Sequence, residues 1–197
     1  MSKRKGAERR GPKEEQRRSS TPSSKFTSRY GSRVLEKFGP HLFCTWGVPE
    51  AVAAAMRQVG RPVPPDIDGA LLLDTGAART CIGLQTATEL GLQPTRIQEG
   101  YGAAGKHSNL VFLARLEIKI IDPETNQEQG FAWEQEVEAI PELHNFAAPL
   151  TWQGKAMTLS GLLGRDILRH ARIHYDGPAG RIRFEFDIAS IQNHPSR

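Results

Sequence analysis

The feature that most constrains the fold is a short apolar run that ends on a carboxylate. The run begins at Ile67 and closes with three leucines at 71–73, and Asp74-Thr75-Gly76 follows at once. A run of this length that ends at a turn is typical of a buried strand. A carboxylate in that position is costly to desolvate unless donors surround it or it shares a proton. The sequence therefore predicts a strand over 67–73 that presents Asp74 in a polar loop.

The two residues after Asp74 suit a loop at the floor of a cleft. Gly76 permits a tight turn and close approach of a substrate backbone, and the Thr75 hydroxyl can bond a neighbouring backbone segment. The alternative is a structural Asp that caps a turn by accepting from nearby amides. The tripeptide alone leaves both interpretations open.

Much of the remaining chain alternates short strand patterns with turn signals, which is typical of an all-β barrel or sandwich. Strands are predicted over 41–48 and 131–140, with hairpins over 97–117 and 172–186, and residues 157–163 are an apolar stretch that leads into Gly164. Gly100, Gly102 and Gly105 are predicted at the tip of the first hairpin. Short helical segments are predicted over 49–60, 86–90 and 165–170, and a polar turn over 122–129. Residues 141–160 favour no element.

The charge is distributed unevenly along the chain. Residues 1–33 contain eleven Lys or Arg and three Glu, a net charge of +8, whereas the whole chain has a net charge of +4. A segment with so few apolar residues cannot offset its ordering entropy by burial. We therefore predict a disordered basic tail over 1–39, a folded domain over 40–190 and a short tail over 191–197. The alternatives for the basic tail are a solvated segment without function and an arm with weak nucleic-acid contact.

The composition and the spacing of Cys and His limit the classes of protein to which this chain can belong. No secretory signal pattern or apolar run long enough to cross a membrane is present, so we expect a cytoplasmic protein without membrane contact. Cys44 and Cys81 lack metal-ligand spacing and are expected to be reduced and packed. His170 and His174 are four residues apart, but a strand over 172–175 would separate them. No cofactor and no metal are predicted.

A second motif lies about ninety residues after Asp74. Gly161-Leu162-Leu163-Gly164-Arg165-Asp166 has an apolar pair, a glycine and then a short helix pattern. Together the two motifs resemble the retropepsin family of retroviral-type aspartic proteases, with the glycine-rich hairpin at 100–105 between them. The resemblance covers about residues 40–188 and is closest to stand-alone bacterial or cellular members. It implies a closed acid-protease barrel with a flap hairpin and one short C-terminal helix.

The resemblance also implies a role for each matching residue. Asp74 would be the catalytic carboxylate, in a loop supported by Thr75, Gly76 and Ala77. Five residues would form the flap that closes over substrate: Tyr101, Gly102, Ala103, Ala104 and Gly105. Five residues would form the structural motif behind the catalytic loop: Leu162, Leu163, Gly164, Arg165 and Asp166.

Two positions depart from the family pattern. Retroviral members often have an acidic residue two positions after the motif glycine, and it pairs with the helix arginine. This chain has Ala78 there, followed by Arg79. Arg165 therefore needs another partner, and three carboxylates are candidates: Asp68, Asp166 and Asp187.

Peptide hydrolysis by this chemistry requires two carboxylates, one as base and one as acid. Only one Asp-Thr-Gly occurs in the sequence, so we predict a homodimer that pairs two copies of Asp74. The predicted function is an aspartic endopeptidase acting on a peptide or unfolded protein, with substrate pockets lined by Ile82, Leu84, Leu110 and Phe112. The alternative is a non-catalytic dimeric module that binds peptides and whose basic tail contacts nucleic acid.

Overall fold

The computed structural model describes residues 23–29, 32–102, 105–121, 128–143, 146–152 and 154–192. Its strands are β1 Ser23–Arg29, β2 His41–Gly47, β3 Ile67–Leu73, β4 Cys81–Gly83, β5 Pro94–Gly102, β6 Gly105–Ile121, β7 Glu128–Ile140, β8 Ala147–Trp152, β9 Lys155–Leu163, β10 Ala171–Asp176 and β11 Arg181–Asp187. Its helices are α1 Ser32–Phe38, α2 Glu50–Gln58, α3 Leu84–Glu89, α4 Arg165–Leu168 and α5 Ile188–Gln192. The fold is thus mostly β, with short helices.

Six strands close into a barrel in the order β2-β3-β9-β4-β7-β6, and β6 pairs back onto β2. Two of these pairs are parallel, β3 with β9 and β4 with β7. Strand β5 forms a hairpin with β6, and β8 pairs with β9. Closure leaves the barrel strands without open edges. The predicted strands and hairpins are confirmed, and β3 has the predicted bounds.

The second layer is a three-stranded sheet in the order β1-β11-β10. Its inner face carries Ile182, Phe184 and Phe186, all fully buried. The Phe186 ring lies 5.4 Å from the ring of Phe131 on β7, measured between centroids. The inner face and the barrel therefore share one continuous hydrophobic core.

A buried serine joins three barrel strands. The Ser160 hydroxyl on β9 accepts a hydrogen bond from the Trp46 indole N–H of β2 at 3.1 Å. It lies 3.3 Å from the carbonyl oxygen of Ala70 on β3, to which it donates. Gly69 is required beside it, because any side chain there would collide with Ser160. A satisfied buried hydroxyl of this kind specifies how neighbouring strands align.

Regular elements extend beyond the predicted domain of residues 40–190 at both ends. Residues 23–29 form β1, antiparallel to β11, and residues 32–38 form α1, where Leu35 is only 2% exposed. An edge strand gains its backbone hydrogen bonds from its neighbour and needs few apolar residues, so composition does not reveal β1. At the other end, Ile191 belongs to α5 and is buried. Residues 1–22 of the predicted tail and residues 122–127 of the predicted turn lie outside the described residues, whereas 128–129, the end of that predicted turn, begin β7.

No helix among the described residues is long and apolar enough to cross a membrane.

Candidate active site

Asp74 follows β3 at the end of the parallel pair that β3 forms with β9. Leu73 lies opposite Leu163 in the register, and the Asp74 N–H donates to the Leu163 carbonyl at 3.1 Å. The next residues along the two strands are therefore neighbours: Asp74 on one side and Gly164 on the other. The parallel arrangement thus brings together two motifs about ninety residues apart in sequence.

One oxygen of the Asp74 carboxylate accepts two hydrogen bonds from its own loop. The Gly76 N–H donates to Oδ1 at 2.8 Å, and the Ala77 N–H donates to the same oxygen at 3.2 Å. These are the bonds of an Asp that caps a turn. The alternative interpretation of Asp74, as a structural turn residue, therefore describes part of the geometry. The two bonds leave Oδ2 without a hydrogen-bond donor among the residues that the structure describes. The loop therefore orients the carboxylate while keeping one oxygen available.

Arg165 bonds the loop through backbone carbonyls. Its Nη1 donates to the carbonyl oxygens of Thr75 and Gly76, each at 2.8 Å. The Arg165 N–H donates to the Ala77 carbonyl at 3.0 Å. The expectation that Arg165 pairs with a carboxylate is therefore wrong. The guanidinium presents several donors in a rigid fork, which lets one side chain bond two successive carbonyls.

The three carboxylates considered for Arg165 have other partners. Asp68 accepts from the Thr45 hydroxyl at 2.7 Å and lies 3.1 Å from the Lys119 ammonium. Asp187 accepts from the Ser190 N–H at the start of α5. Asp166 bonds Thr80 at the far end of the Asp74 loop.

Thr80 and Asp166 form the second connection between the motifs. Asp166 accepts from the Thr80 N–H at 2.9 Å and from the Thr80 hydroxyl at 2.8 Å. The same hydroxyl accepts from the Gly164 N–H at 3.2 Å. Thr80 is fully buried. Thr80 was not predicted as a site residue, because a single threonine after a polar loop carries no distinguishing signal in a sequence.

Gly164 is a steric requirement. Its φ of −87° and ψ of 177° are open to any residue. A Cβ there, however, would overlap the Arg79 carbonyl group and lie 2.7 Å from the Thr80 amide nitrogen. Backbone cannot move aside as a flexible side chain does. The glycine therefore allows β9 to pass directly behind the loop, with Leu163 fully buried and Leu162 half-buried.

Glu138 connects the loop to the base of the hairpin. It lies 3.6 Å from Arg79, measured from Oε1 to Nε, and accepts from the Asn109 side chain on β6 at 3.2 Å. Arg79 thus takes its acidic partner from β7, where the sequence offered no signal to distinguish Glu138 from its neighbours Glu134 and Glu136. This contact joins the Asp74 loop, β7 and the proposed flap.

The hairpin formed by β5 and β6 corresponds to the predicted flap. Tyr101 lies opposite Lys106 and Gly102 opposite Gly105, while Ala103 and Ala104 lie outside the described residues. Gly105 has φ of 103°, a conformation that favours glycine. No hydrogen bond joins the described part of the hairpin tip to the Asp74 loop.

Two of the four residues predicted to line a substrate pocket are buried in the core. Ile82 is fully buried and Phe112 is 3% exposed, so neither can contact a substrate in this conformation. Leu84 and Leu110 are half-buried at the edge of the core. Asp74 is half-buried, and Thr75 and Gly76 are exposed. The loop of the single chain thus lies at the surface.

The cysteines are unpaired and buried, as predicted. Burial raises the pKa of the Cys81 thiol to about 12, and burial likewise raises the pKa of Cys44 to about 12. Both thiols are therefore protonated at neutral pH, which makes Cys81 a poor nucleophile. No group of three or more potential metal ligands occurs within the described ranges.

Comparison of the chain with the profiles of known protein families finds no match, and comparison with well-characterised proteins finds none.

Proposed function

We propose that this chain is one subunit of a retropepsin-like aspartic endopeptidase and that two copies of Asp74 form its catalytic pair. The observation that carries the proposal is the geometry of one side chain. Asp74 has Oδ1 bonded by two loop amides and Oδ2 available, in a loop that Arg165 and Asp166 bond from ninety residues away. Such preorganisation is what a catalytic group requires.

The chemistry follows from two adjacent carboxylates that share one proton. The ionised Asp74 takes a proton from a water molecule while the oxygen of that water attacks the peptide carbonyl carbon. The protonated Asp74 of the other chain gives its proton to the carbonyl oxygen. Collapse of the resulting diol breaks the C–N bond, and the amine leaves with a proton from the pair. One carboxylate alone cannot act as acid and base in the same step.

A dimer is further supported by a sheet edge that no other strand of the described residues pairs with. Strand β10 follows α4, whose first residue is Arg165, and lies at the edge of the three-stranded sheet. Two of its side chains are exposed apolar groups, Ile173 at 37% and Tyr175 at 54%. An exposed edge with apolar side chains is a template for pairing with a second chain.

The substrate of such a site is an extended peptide between the loop and the β5–β6 hairpin. Hairpin closure would exclude water and order the peptide. Leu84 and Leu110 remain as candidate apolar contacts, which favours apolar residues next to the cleaved bond. An unfolded protein or a flexible segment presents such peptides.

The primary test is the substitution Asp74→Asn, which keeps the shape and the Oδ1 acceptor while removing the carboxylate. Cleavage of an unstructured protein should fall by about 10²–10⁴-fold, and a pepstatin-type inhibitor should block the parent. Asp66→Asn is the matched control, since Asp66 pairs with Arg115 at an exposed position. It should retain activity. Equal cleavage by the Asp74 variant and the parent would refute the proposal.

A mixing experiment tests the shared site. Parent and Asp74→Asn chains are mixed, allowed to exchange and assayed at constant total concentration. If each site needs two carboxylates, activity follows the square of the parent fraction, about one quarter in an equal mixture. A self-sufficient monomer would retain about one half.

A dimeric peptide-binding module is the second candidate, and the turn bonds of Asp74 favour it. Oδ1 accepts from Gly76 and Ala77 whether or not catalysis occurs, so Asp74 can serve the loop alone. This candidate predicts dimerisation and peptide binding without turnover that depends on Asp74. Isothermal titration with an apolar peptide, alongside the cleavage assay, separates the two.

A further inference from the structure

Strand β10 is exposed on both of its faces as well as along one edge. Its only partner among the described strands is β11, which lies on its other edge. Four successive residues of β10 are exposed: Arg172, Ile173, His174 and Tyr175. A free strand edge that also exposes apolar side chains is a template for pairing with another strand.

On the inner face of the sheet, β10 extends the apolar rows of β11. Ile173 lies opposite Phe184, and Tyr175 lies opposite Ile182. Opposite residues of an antiparallel pair are on the same side of the sheet. Phe184 and Ile182 are fully buried, whereas Ile173 is 37% exposed and Tyr175 is 54% exposed. The apolar layer of the sheet therefore ends at two side chains that water contacts.

On the outer face, β10 carries opposite charges on either side of His174. Arg172 precedes His174 by two residues, and Asp176 follows it by two. Arg172 forms no ion pair with another residue that the structure describes, and Asp176 lies 3.5 Å from Arg181. A copy of the strand that runs in the opposite direction about His174 would place each arginine beside an aspartate. The charges of β10 are therefore complementary to those of a second β10.

The backbone of β10 also has hydrogen-bonding groups on its free edge. The Asp187 N–H donates to the His170 carbonyl oxygen at 2.9 Å, so this pair of residues is hydrogen-bonded. Hydrogen-bonded and non-hydrogen-bonded pairs alternate along an antiparallel ladder. The N–H and C=O groups of Ile173 and Tyr175, which are at odd-numbered positions, therefore point away from β11. No strand within the described ranges pairs with them.

We propose that the free edge of β10 pairs antiparallel with the β10 of a second copy of this chain, with His174 opposite its own copy on a twofold axis. Symmetry restricts the register, because neighbouring pairs of an antiparallel ladder differ in geometry. A twofold axis must therefore pass through a residue that pairs with itself. Of the registers that satisfy this condition, only the one centred on His174 places Arg172 opposite Asp176 of the partner subunit.

This register continues the apolar layer from one chain into the other. Ile173 is then opposite Tyr175 of the partner subunit, and the two exchange backbone hydrogen bonds. The row that begins with Phe184 and Ile173 continues into Tyr175 and Ile182 of the partner subunit. Pairing therefore removes the exposed apolar side chains of β10 from water, which favours association.

The same register gives alternating charges on the outer face. Glu185 and Arg172 are followed in the row by Asp176 and Arg181 of the partner subunit. Arg172 and the partner's Asp176 form a non-hydrogen-bonded pair, the kind in which opposite side chains approach more closely. A surface of mixed charge and apolar side chains thus suits a second copy of itself.

The proposed interface rests on the proposed function, because it is the surface that would bring in the second Asp74. Helix α4 begins with Arg165 and Asp166, which bond the Asp74 loop. Only two residues separate the end of α4 from the start of β10. The strand that pairs is therefore directly connected to the helix that holds the loop.

The test uses two complementary charge reversals and sedimentation equilibrium of the full chain. Arg172→Glu alone and Asp176→Lys alone each place like charges opposite one another at two positions. Each should weaken self-association by about tenfold or more. An equimolar mixture should restore dimers of parental affinity, because the introduced glutamate then faces the introduced lysine and the native arginine faces the native aspartate. Arg61→Glu, in the exposed connector after α2, is the control and should leave dimerisation unchanged.

Ile173→Pro is a second test, which does not depend on charge. It removes an N–H that points away from β11, so the sheet within the chain is retained while pairing with another copy is blocked. This variant should be monomeric, and circular dichroism should show a retained fold. It also decides the question if Asp176→Lys does not fold, since the Asp176 carboxylate accepts from the Ala179 N–H in the turn.

Three results would overturn the proposed interface. They are parental dimer affinity in folded Ile173→Pro, two folded charge variants that do not associate with each other, and a parent that is monomeric at every concentration tested. Cleavage assays on the same samples separate this interface from the enzyme. Dimers that depend on β10 but lack cleavage dependent on Asp74 would refute the enzyme and support the interface. Asp74-dependent cleavage by dimers that no β10 variant weakens would refute the interface and support the enzyme.

Discussion

The Asp74 loop and the three-stranded sheet are organised in contrasting ways. The loop is defined by hydrogen bonds between residues 74–80 and 163–166, which are nearly ninety positions apart. The sheet is defined by a local alternation in β11, where Ile182, Phe184 and Phe186 are buried between exposed or half-buried charged residues. The sheet therefore depends on apolar burial, and the loop depends on polar contacts between distant segments.

Because of this difference, the sheet should mainly determine the stability of the protein, and the loop should mainly determine the geometry of the site. Apolar burial is proportional to area and tolerates small displacements. Hydrogen bonds at 2.8 Å to particular carbonyls do not tolerate them. Substitutions in the sheet should therefore change the free energy of unfolding, while substitutions at the loop should change activity or local order.

The largest expected effect is in the sheet. Phe184→Ala removes a fully buried ring and should lower the free energy of unfolding by about 3–5 kcal/mol, through lost transfer energy and a residual cavity. Denaturant unfolding measures the change. Arg183→Ala on the outer face is the control and should change stability by at most about 0.5 kcal/mol. Similar effects of the two substitutions would contradict the assignment of the inner and outer faces.

Gly164→Ala tests the close approach behind the loop. The added Cβ overlaps the backbone at Arg79 and Thr80, so stability should fall by about 3 kcal/mol. Gly83→Ala is the matched control. Gly83 is buried with φ of −63°, and the nearest atoms to an added Cβ lie 3.4 to 3.7 Å away. A thermal melt that shows Gly164→Ala to be as stable as Gly83→Ala would argue against the packing described.

Arg165→Gln tests how Arg165 positions the Asp74 loop. The shorter side chain cannot bond both the Thr75 and Gly76 carbonyls, so the loop should move. In the proposed enzyme, kcat should fall by about 10²-fold with a smaller change in KM. Amide hydrogen exchange at 75–77 should also become faster, which is a readout independent of activity. Arg169→Gln, on the turn that follows α4, should leave both unchanged; equal effects would show that Arg165 has no special role.

The smallest expected effect is at Thr45, on the barrel wall. The Thr45 hydroxyl donates to Asp68 and lowers the pKa of that carboxyl, and the Lys119 ammonium lowers it further. Because the folded pKa is below the unfolded value of about 3.9, the ionised carboxylate contributes stability above that pH. This contribution is lost as the pH falls through the folded pKa.

Thr45→Val should therefore cost about 1 kcal/mol at pH 7, since a partly exposed partner reduces the value of a charged hydrogen bond. The difference from the parent should narrow below about pH 4. Thr158→Val, at an exposed position of β9, is the control and should show no such trend. A constant difference at all pH values would mean that Asp68 titrates independently of Thr45.

Elements with a strong local pattern were predictable. The bounds of β3 matched because seven residues ended at an unmistakable turn, and β10 with β11 matched because charged and apolar residues alternate around a Gly/Pro turn. Strand β1 was missed because it forms by pairing with β11, which lies more than about 150 residues further along the chain. Strand β8 was missed although its partner β9 follows it closely, because its own strand pattern is weak and contains Pro149.

In the candidate site, too, local features could be predicted from the sequence and long-range contacts could not. The residue types of both motifs, and hence the chemistry they can perform, could be read from the chain. The partners of Arg165, the bonds of Thr80 to Asp166 and the contact of Arg79 with Glu138 could not. Local patterns record which side of a strand meets the core, because burial repeats every second residue. Which carbonyl lies beside which guanidinium depends on barrel closure and on the parallel pairing of β3 with β9, and no short stretch of sequence encodes that distance.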